Sequence, residues 1–449
     1  MDYPVRALKS GTMIVELINT GSELMLGRVL NTHQQWLCRQ LADLGYVVSR
    51  QVAVPDTGSD IQQAVREALG RADLVITTGG LGPTSDALTR DLVAQMLRKE
   101  LREDAAVLAH IRSFFESRKR PMPERTQVQA LIPEGAMVLH NPHGTAPGLA
   151  MEVRPNPFRA GGQPSWLIML PGPPRELRPM FADTVAPLLG RVLPLASGFV
   201  CRTLRTTGVG ESVVQEKIGG PLQRWVEGGL DLGYCARPGQ VDVRLAATGS
   251  DAERQVPEAE AVVRELLGPH IYGIEDEDLE TVIVRLLTER KVTLVLAESC
   301  TGGDIANRIT NVAGASAVLL AGLVTYSNAA KQKFLGVKAE TLDQHGAVSK
   351  PVAREMAEGA RRETQANYAL SVTGIAGPSG GTPGKPVGTV FVGLAGPSGT
   401  VVQRQFNPYD RETFKQVTTQ QALELLRRTI LASDAPTNGT TVAGTAGAA

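Results

Sequence analysis

A chain of 449 residues has room for roughly two to four domains of ordinary size. Its hydrophobic share of 42% and charged share of 20% suit a soluble globular protein with a sizeable core. The 46 basic and 46 acidic side chains cancel, which argues against a nucleic-acid or membrane-surface partner. No apolar run is long enough to span a bilayer, and the N-terminus lacks the apolar segment of a signal peptide. Cys38, Cys201, Cys235 and Cys300 show no C-x-x-C spacing, so free thiols and a cytoplasmic location are expected.

In chain order, "MIVELI" (13–18) and "DLVITT" (73–78) are short apolar runs bounded by glycine, the pattern of buried parallel strands. Between them Ile61, Ala64, Val65, Ala68 and Leu69 mark one face of a helix, as Trp36, Leu37, Leu41 and Leu44 do in the helix before. Strands alternating with helices imply a parallel sheet covered on both faces. This first unit is expected over 11–190, with a mobile Pro/Gly-rich loop at 154–165 and a rigid turn into a helix at "LPGPPREL" (170–177). A smaller α/β unit follows over 197–275. A third unit occupies 276–432, with strands at "VTLVLA" (292–297), "YALSVTG" (368–374) and "GTVFVGLAG" (388–396). Its closing helix carries Phe414, Val417, Leu423, Leu426 and Ile430. The tail 433–449 has almost no apolar side chains and is expected to be disordered.

The third unit holds the most suggestive chemistry. "LAESCTGG" (296–303) leaves Ser299 and Cys300, both potential nucleophiles, at the carboxyl end of a strand, where open α/β sheets bind ligands. The N–H groups of Thr301, Gly302 and Gly303 at the following helix start could hold an oxyanion or phosphate. The plainer reading is that Ser299 is an N-cap. A Ser-His-Asp triad is poorly supplied, since His345 is the one clear histidine candidate in this unit. "LVTYSNAAKQKFLG" brings Tyr326 and Lys331 to the same edge. A lysine buried there would have a lowered pKa and could take a proton from serine, although a solvated helix face is the simpler local reading. Thr373 and Arg411 add polar groups at strand ends. The glycine-rich stretch 374–388 could fold over a substrate but matches no nucleotide fingerprint.

"AESCTGG", "VTYSNAAK", "HGAVS", "VTGIAGP" and "KPVGTV", in this order, resemble the C-terminal amidohydrolase domain of the CinA (competence/damage-inducible protein A) family. "NTGSELMLGRVLNTH", "TTGGLGPTSDALTRD", "NPHGTAPG" and "LPGPPREL" resemble its N-terminal molybdopterin-binding-like domain, and the middle unit is similar to its KH-like linker. The resemblance implies an α/β chain built from a three-layer molybdopterin-binding-like domain, a small KH-like α/β spacer and an α/β amidohydrolase domain. It further implies deamidation of nicotinamide mononucleotide to nicotinate mononucleotide and ammonia, with no cofactor, by a cytoplasmic homodimer. Ser299 would be the nucleophile, with Lys331 and Tyr326 as its activating and proton-relaying partners. Ser316, Thr373 and Arg411, with Thr301 and Gly302, match positions near the substrate, Arg411 suiting the phosphate. Cys300 would then be a packed neighbour.

The same family's N-terminal domain is associated with metal-dependent hydrolysis of ADP-ribose at a site resembling G-G-L-G-P-T-x-D-D-x-T. Here Gly79, Gly80, Gly82, Thr84 and Asp86 match, but Ala87 stands where the second aspartate belongs. Asp56 and Asp86 leave at most a weakened site for a divalent metal. The glycine turn can still hold a phosphate, so nucleotide binding is favoured over pyrophosphatase activity, while Asp86 and Thr89 could equally be helix caps. The competing function classes are thus an ADP-ribose pyrophosphatase and a non-catalytic nucleotide-binding protein. The middle unit shows no basic stripe with aromatics, so RNA binding is not expected of it.

Overall fold

The computed structural model describes residues 13–84, 88–195 and 198–432. The expected disordered tail, Asp86 and Ala87 lie outside them. The chain divides into two units between Phe199 and Val200.

In the first unit β1 (Val15–Thr20), β2 (Val48–Val54), β3 (Leu74–Thr78), β6 (Met137–Leu139), β7 (Gly148–Val153) and β8 (Ser165–Leu170) form one sheet. β4 (Leu101–Glu103) and β5 (Leu131–Pro133) pair separately. The strand order is β2-β1-β3-β8-β7-β6; the pairs among β2, β1, β3 and β8 are parallel, and β7 and β6 run antiparallel. Every residue of β1 and β3 is buried, as helices on both faces require. Ile61, Val65, Ala68 and Leu69 of helix Gly58–Leu69 pack into the core on one face. Leu37 and Leu41 of helix Thr32–Asp43 pack on the other, where Trp36 meets Phe181 edge-on at 5.5 Å. Leu44, expected on that stripe, is the C-cap and is exposed.

The 154–165 segment is held rather than loose. The buried Asn156 amide donates to Leu69 O at 2.7 Å and to Ser165 Oγ at 2.9 Å, and Arg159 pairs with Asp73 at 2.8 Å. Its Pro/Gly content shortens a turn that buried polar side chains then fasten, which composition alone does not reveal. After β8, helix Pro174–Met180 starts with a proline in its first turn, where no N–H is needed.

The second unit opens with a four-stranded sheet of β9 (Phe199–Thr207), β10 (Asp231–Arg237), β11 (Gln240–Thr248) and β12 (Ile271–Ile274), ordered β10-β11-β9-β12. Helices Glu211–Glu227 and Ala252–Leu267 cover it through Ile218, Leu222, Ala259 and Val263. The remainder is a five-stranded sheet of β13 (Leu294–Glu298), β14 (Leu319–Val324), β15 (Tyr368–Gly374), β16 (Thr389–Gly396) and β17 (Gly399–Phe406), ordered β14-β13-β15-β16-β17. β14 and β15 flank β13 in parallel, so three strand ends share the edge beyond Glu298. β17 is a strand that the apolar runs did not announce, because polar Gln403, Arg404 and Gln405 interrupt its apolar residues. Phe414, Val417, Leu423, Leu426 and Ile430 of helix Arg411–Ala432 are all buried, as their spacing requires.

Helix Lys350–Thr364 packs closely on helix Asn328–Leu335, and Gly359 is where they meet. A Cβ there would lie 1.7 Å from the Leu335 carbonyl oxygen, so the backbone would have to move. Gly359→Ala is therefore expected to destabilise this domain by roughly 2–4 kcal/mol. Urea unfolding read through activity would check this, and an unchanged midpoint would contradict it.

Candidate active site

Ser299 follows the last residue of β13 directly and is nearly buried. Helix Asn328–Leu335, entered from β14 through Ser327 as its N-cap, delivers Lys331 to the same edge. The Lys331 side chain is fully buried, with Nζ 3.0 Å from Ser299 Oγ, 2.7 Å from Thr325 O and 3.4 Å from Tyr326 O. No carboxylate forms an ion pair with it among the described contacts. Burial therefore lowers its pKa from the ordinary lysine value, only partly countered by the neighbouring Cys300. A neutral amine has two hydrogens for the two carbonyls and one lone pair for the serine hydroxyl. That is the arrangement of a general base beside a nucleophile.

Ser299 is not the N-cap of the next helix. Helix Asp304–Thr310 has Gly303 as its N-cap residue, and its first amides are held by Glu298, which is fully buried. Glu298 Oε2 accepts from the N–H of Gly303 at 3.0 Å and of Ile305 at 3.2 Å, and Oε1 accepts from Ala306 at 2.8 Å. The Gly302 N–H donates to Ser299 O at 3.1 Å. The Gly302 and Gly303 amides expected to receive an oxyanion are thus already occupied by the chain itself. Thr301 is buried in the same turn, and its hydroxyl has no partner among the described residues.

Around the rim, Arg411 at the start of the long helix donates from Nη1 to Gly377 O and from Nη2 to the Tyr326 hydroxyl, both at 3.0 Å. Tyr326 thus touches Lys331 through its carbonyl, while its exposed phenol is engaged by Arg411 rather than by Ser299 or Lys331. Arg411 ties the 374–388 loop to the site. Thr373, near the end of β15, is at the right edge but turns its hydroxyl to Ala347 O at 2.8 Å. Ser316 is not brought to Ser299. It is exposed in the short turn before β14, and Leu294 at the start of β13 pairs with Leu319, so Ser316 lies at the opposite end of the sheet. His345 is exposed and offers only its carbonyl, to Lys385.

Cys300 points into the hydrophobic core, and burial pushes its thiol up to about 12. It stays protonated at neutral pH and cannot act as a thiolate. Iodoacetamide at pH 8 is expected to label the exposed Cys235 and leave Cys300 unmodified until the domain unfolds. Peptide mapping would check this, and labelling of both at similar rates would contradict it.

In the first unit a cleft of about 360 Å³ opens beyond β1, β3 and β8. Asp56, Gly79, Gly80, Gly82 and Thr84 all line it, with Glu176. Gly79 and Gly80 have φ of 94° and 70°, and a Cβ on Gly80 would lie 2.0 Å from Thr89 Oγ1. The Gly79 N–H is taken by Leu170 O, so it is unavailable to a phosphate. Asp56 accepts from the Ser22 N–H at 2.9 Å, and Glu176 accepts from Asn141 at 2.8 Å. Thr89 is the first residue of helix Thr89–Met96, whose N-cap is Leu88, and its buried hydroxyl has no partner among the described residues. Among the described residues no three His, Cys, Asp or Glu side chains converge as a metal would need.

Glu298, Thr325 and Glu176 carry no role that the sequence alone assigns. A glutamate before a turn of small residues is a detectable capping signal; a carbonyl such as that of Thr325 leaves none.

The chain matches three family models: the probable molybdopterin binding domain over 16–191, the damage-inducible protein CinA KH domain over 201–273, and the CinA C-terminal domain over 276–430. It is 44% identical to a CinA-like protein of Akkermansia muciniphila, over 91% of this chain and 95% of the relative. It is 43% identical to a putative competence-damage inducible protein of Symbiobacterium thermophilum, over 93% and 99%. A solved competence/damage inducible protein from Agrobacterium tumefaciens is 42% identical over 33% of this chain and 92% of its own, with a TM-score of 0.33. No helix among the described residues is long and apolar enough to cross a membrane. With relatives this similar along nearly its whole length, the chain belongs to the CinA competence/damage-inducible family, in the form that joins a molybdopterin-binding-type domain, a KH domain and a CinA C-terminal domain.

Proposed function

We propose that the C-terminal domain hydrolyses a carboxamide, and that its substrate is nicotinamide mononucleotide. The observation that carries this reading is the buried Lys331 amine, 3.0 Å from Ser299 Oγ and without an ion-pair partner among the described residues. Ser299 Oγ attacks the carboxamide carbon while its proton passes to Lys331 Nζ. The resulting ammonium returns that proton to the departing nitrogen, which leaves as ammonia and an acyl-serine. Water then cleaves the ester, giving the nicotinate product and free Ser299. The step needs no redox partner. The choice of the mononucleotide rests on family resemblance, and the cationic rim at Arg411 is compatible with it.

The test is formation of nicotinate mononucleotide and ammonia from nicotinamide mononucleotide without added metal. Turnover by wild type and none by Ser299→Ala is the expected result. Equal turnover by both would move the chemistry elsewhere.

The N-terminal cleft supports a second reading, the binding of a nucleotide such as ADP-ribose, because it opens at the carboxyl edge of a parallel sheet. Without the second aspartate, hydrolysis there is expected to be weak. Titration with ADP-ribose, with and without Mg²⁺, separates binding from turnover.

A further inference from the structure

We infer that Lys415 is the residue that selects a phosphorylated substrate at the Ser299 site; this rests on the carboxamide-hydrolase reading above. Arg411, the expected phosphate ligand, uses one N–H of each terminal nitrogen on Gly377 O and the Tyr326 hydroxyl, which ties it to the rim of the site. Its work is to hold the 374–388 loop and Tyr326 in place. One helical turn further on, Lys415 projects from the same face of helix Arg411–Ala432. A methyl group built on Gly302 would lie 3.8 Å from Lys415 Nζ, so the ammonium stands beside the turn that carries Ser299.

Lys415 is half-exposed, and among the described contacts it has no ion pair or hydrogen bond. Among the described contacts neither carboxylate nearest in sequence forms an ion pair with it. Asp410 is used as the helix cap, accepting from the N–H of Glu412 and Thr413, and Glu412 is exposed. An ammonium with three free donors at the mouth of a site attracts an anion. The ligand chemistry it fits is a phosphate monoester carried by the amide substrate.

The experiment compares wild type, Lys415→Met and Lys415→Arg on nicotinamide mononucleotide and on the same nucleoside without its phosphate. The ratio of kcat/KM for the two substrates is expected to fall on the order of 10- to 100-fold in Lys415→Met, through KM, and to be largely restored in Lys415→Arg. An unchanged ratio, whether both rates fall together or neither does, overturns the inference. If wild type turns over neither compound, the hydrolase reading fails by itself. Lys415 is then judged by inorganic phosphate binding in calorimetry: weaker binding in Lys415→Met supports the inference, and equal binding overturns it.

Discussion

Lys331→Met is expected to lower kcat/KM of the carboxamide hydrolase by about 10²–10⁴-fold, the range by which a positioned general base accelerates a proton transfer. Methionine has nearly the same length and shape, so the packing around Thr325 and Leu335 survives while the proton acceptor is lost. Lys331→Arg is expected to be as inactive, because a guanidinium stays charged and has no lone pair to offer. Ser299→Ala should be equally inert, and the double variant no worse than either single one, since nucleophile and base act as a unit. Additive losses in the double variant would show that they do not.

The same lysine sets the pH dependence. Burial lowers its pKa, so the active, neutral form is the high-pH form. The rate is expected to rise with pH through that lowered value, below the ordinary lysine value of 10.5. Stability follows with a definite sign. Between the lowered folded value and the unfolded one, the unfolded chain binds the extra proton, so stability increases as pH rises across that window and levels off above it. In Lys331→Met this rise should be absent. A wild-type rate that falls on raising the pH from 6 to 8 would be incompatible with a lysine base.

How much of this was readable in the residues depends on whether a feature is periodic. The helices at 58–69 and 411–432 and the strands β1, β3, β13, β15 and β16 carry their apolar spacing openly, and all formed where that spacing put them. β17 did not announce itself, because an edge strand alternates with polar side chains. Ser299 and Lys331, 32 residues apart, come to one edge because each follows a strand and β14 lies beside β13 in parallel; the strand ends are legible in the residues, and the family resemblance supplied the catalytic roles over the solvated-face reading. Ser316 fails by the same logic: a parallel neighbour puts the residue before the strand at the far end. That Arg411 also tethers the loop could not be read from the residues, because a loop carbonyl, Gly377 O, has no signature in a side-chain sequence.

Glu298→Ala is expected to destabilise the C-terminal domain by roughly 3–5 kcal/mol, since one buried carboxylate satisfies three helix-start amides and their loss leaves all three unpaired. Hydrogen bonds to an ionised acceptor are the stronger kind, and the positive end of the helix adds to them. Glu298→Gln keeps the shape and one carbonyl oxygen but turns an NH₂ toward a backbone N–H, so it should fall between alanine and wild type. Cys300 supplies a local readout suited to a chain of several domains. Buried in the core below the same turn, it reacts with iodoacetamide only when that domain opens, and its labelling rate in rising urea therefore follows this transition alone. The midpoint should drop most in Glu298→Ala, and turnover should drop with it even where the domain stays folded, because Ser299 is held by the turn that Glu298 fastens. Undiminished protection of Cys300 in Glu298→Ala would mean that the strand and helix position Ser299 without this carboxylate.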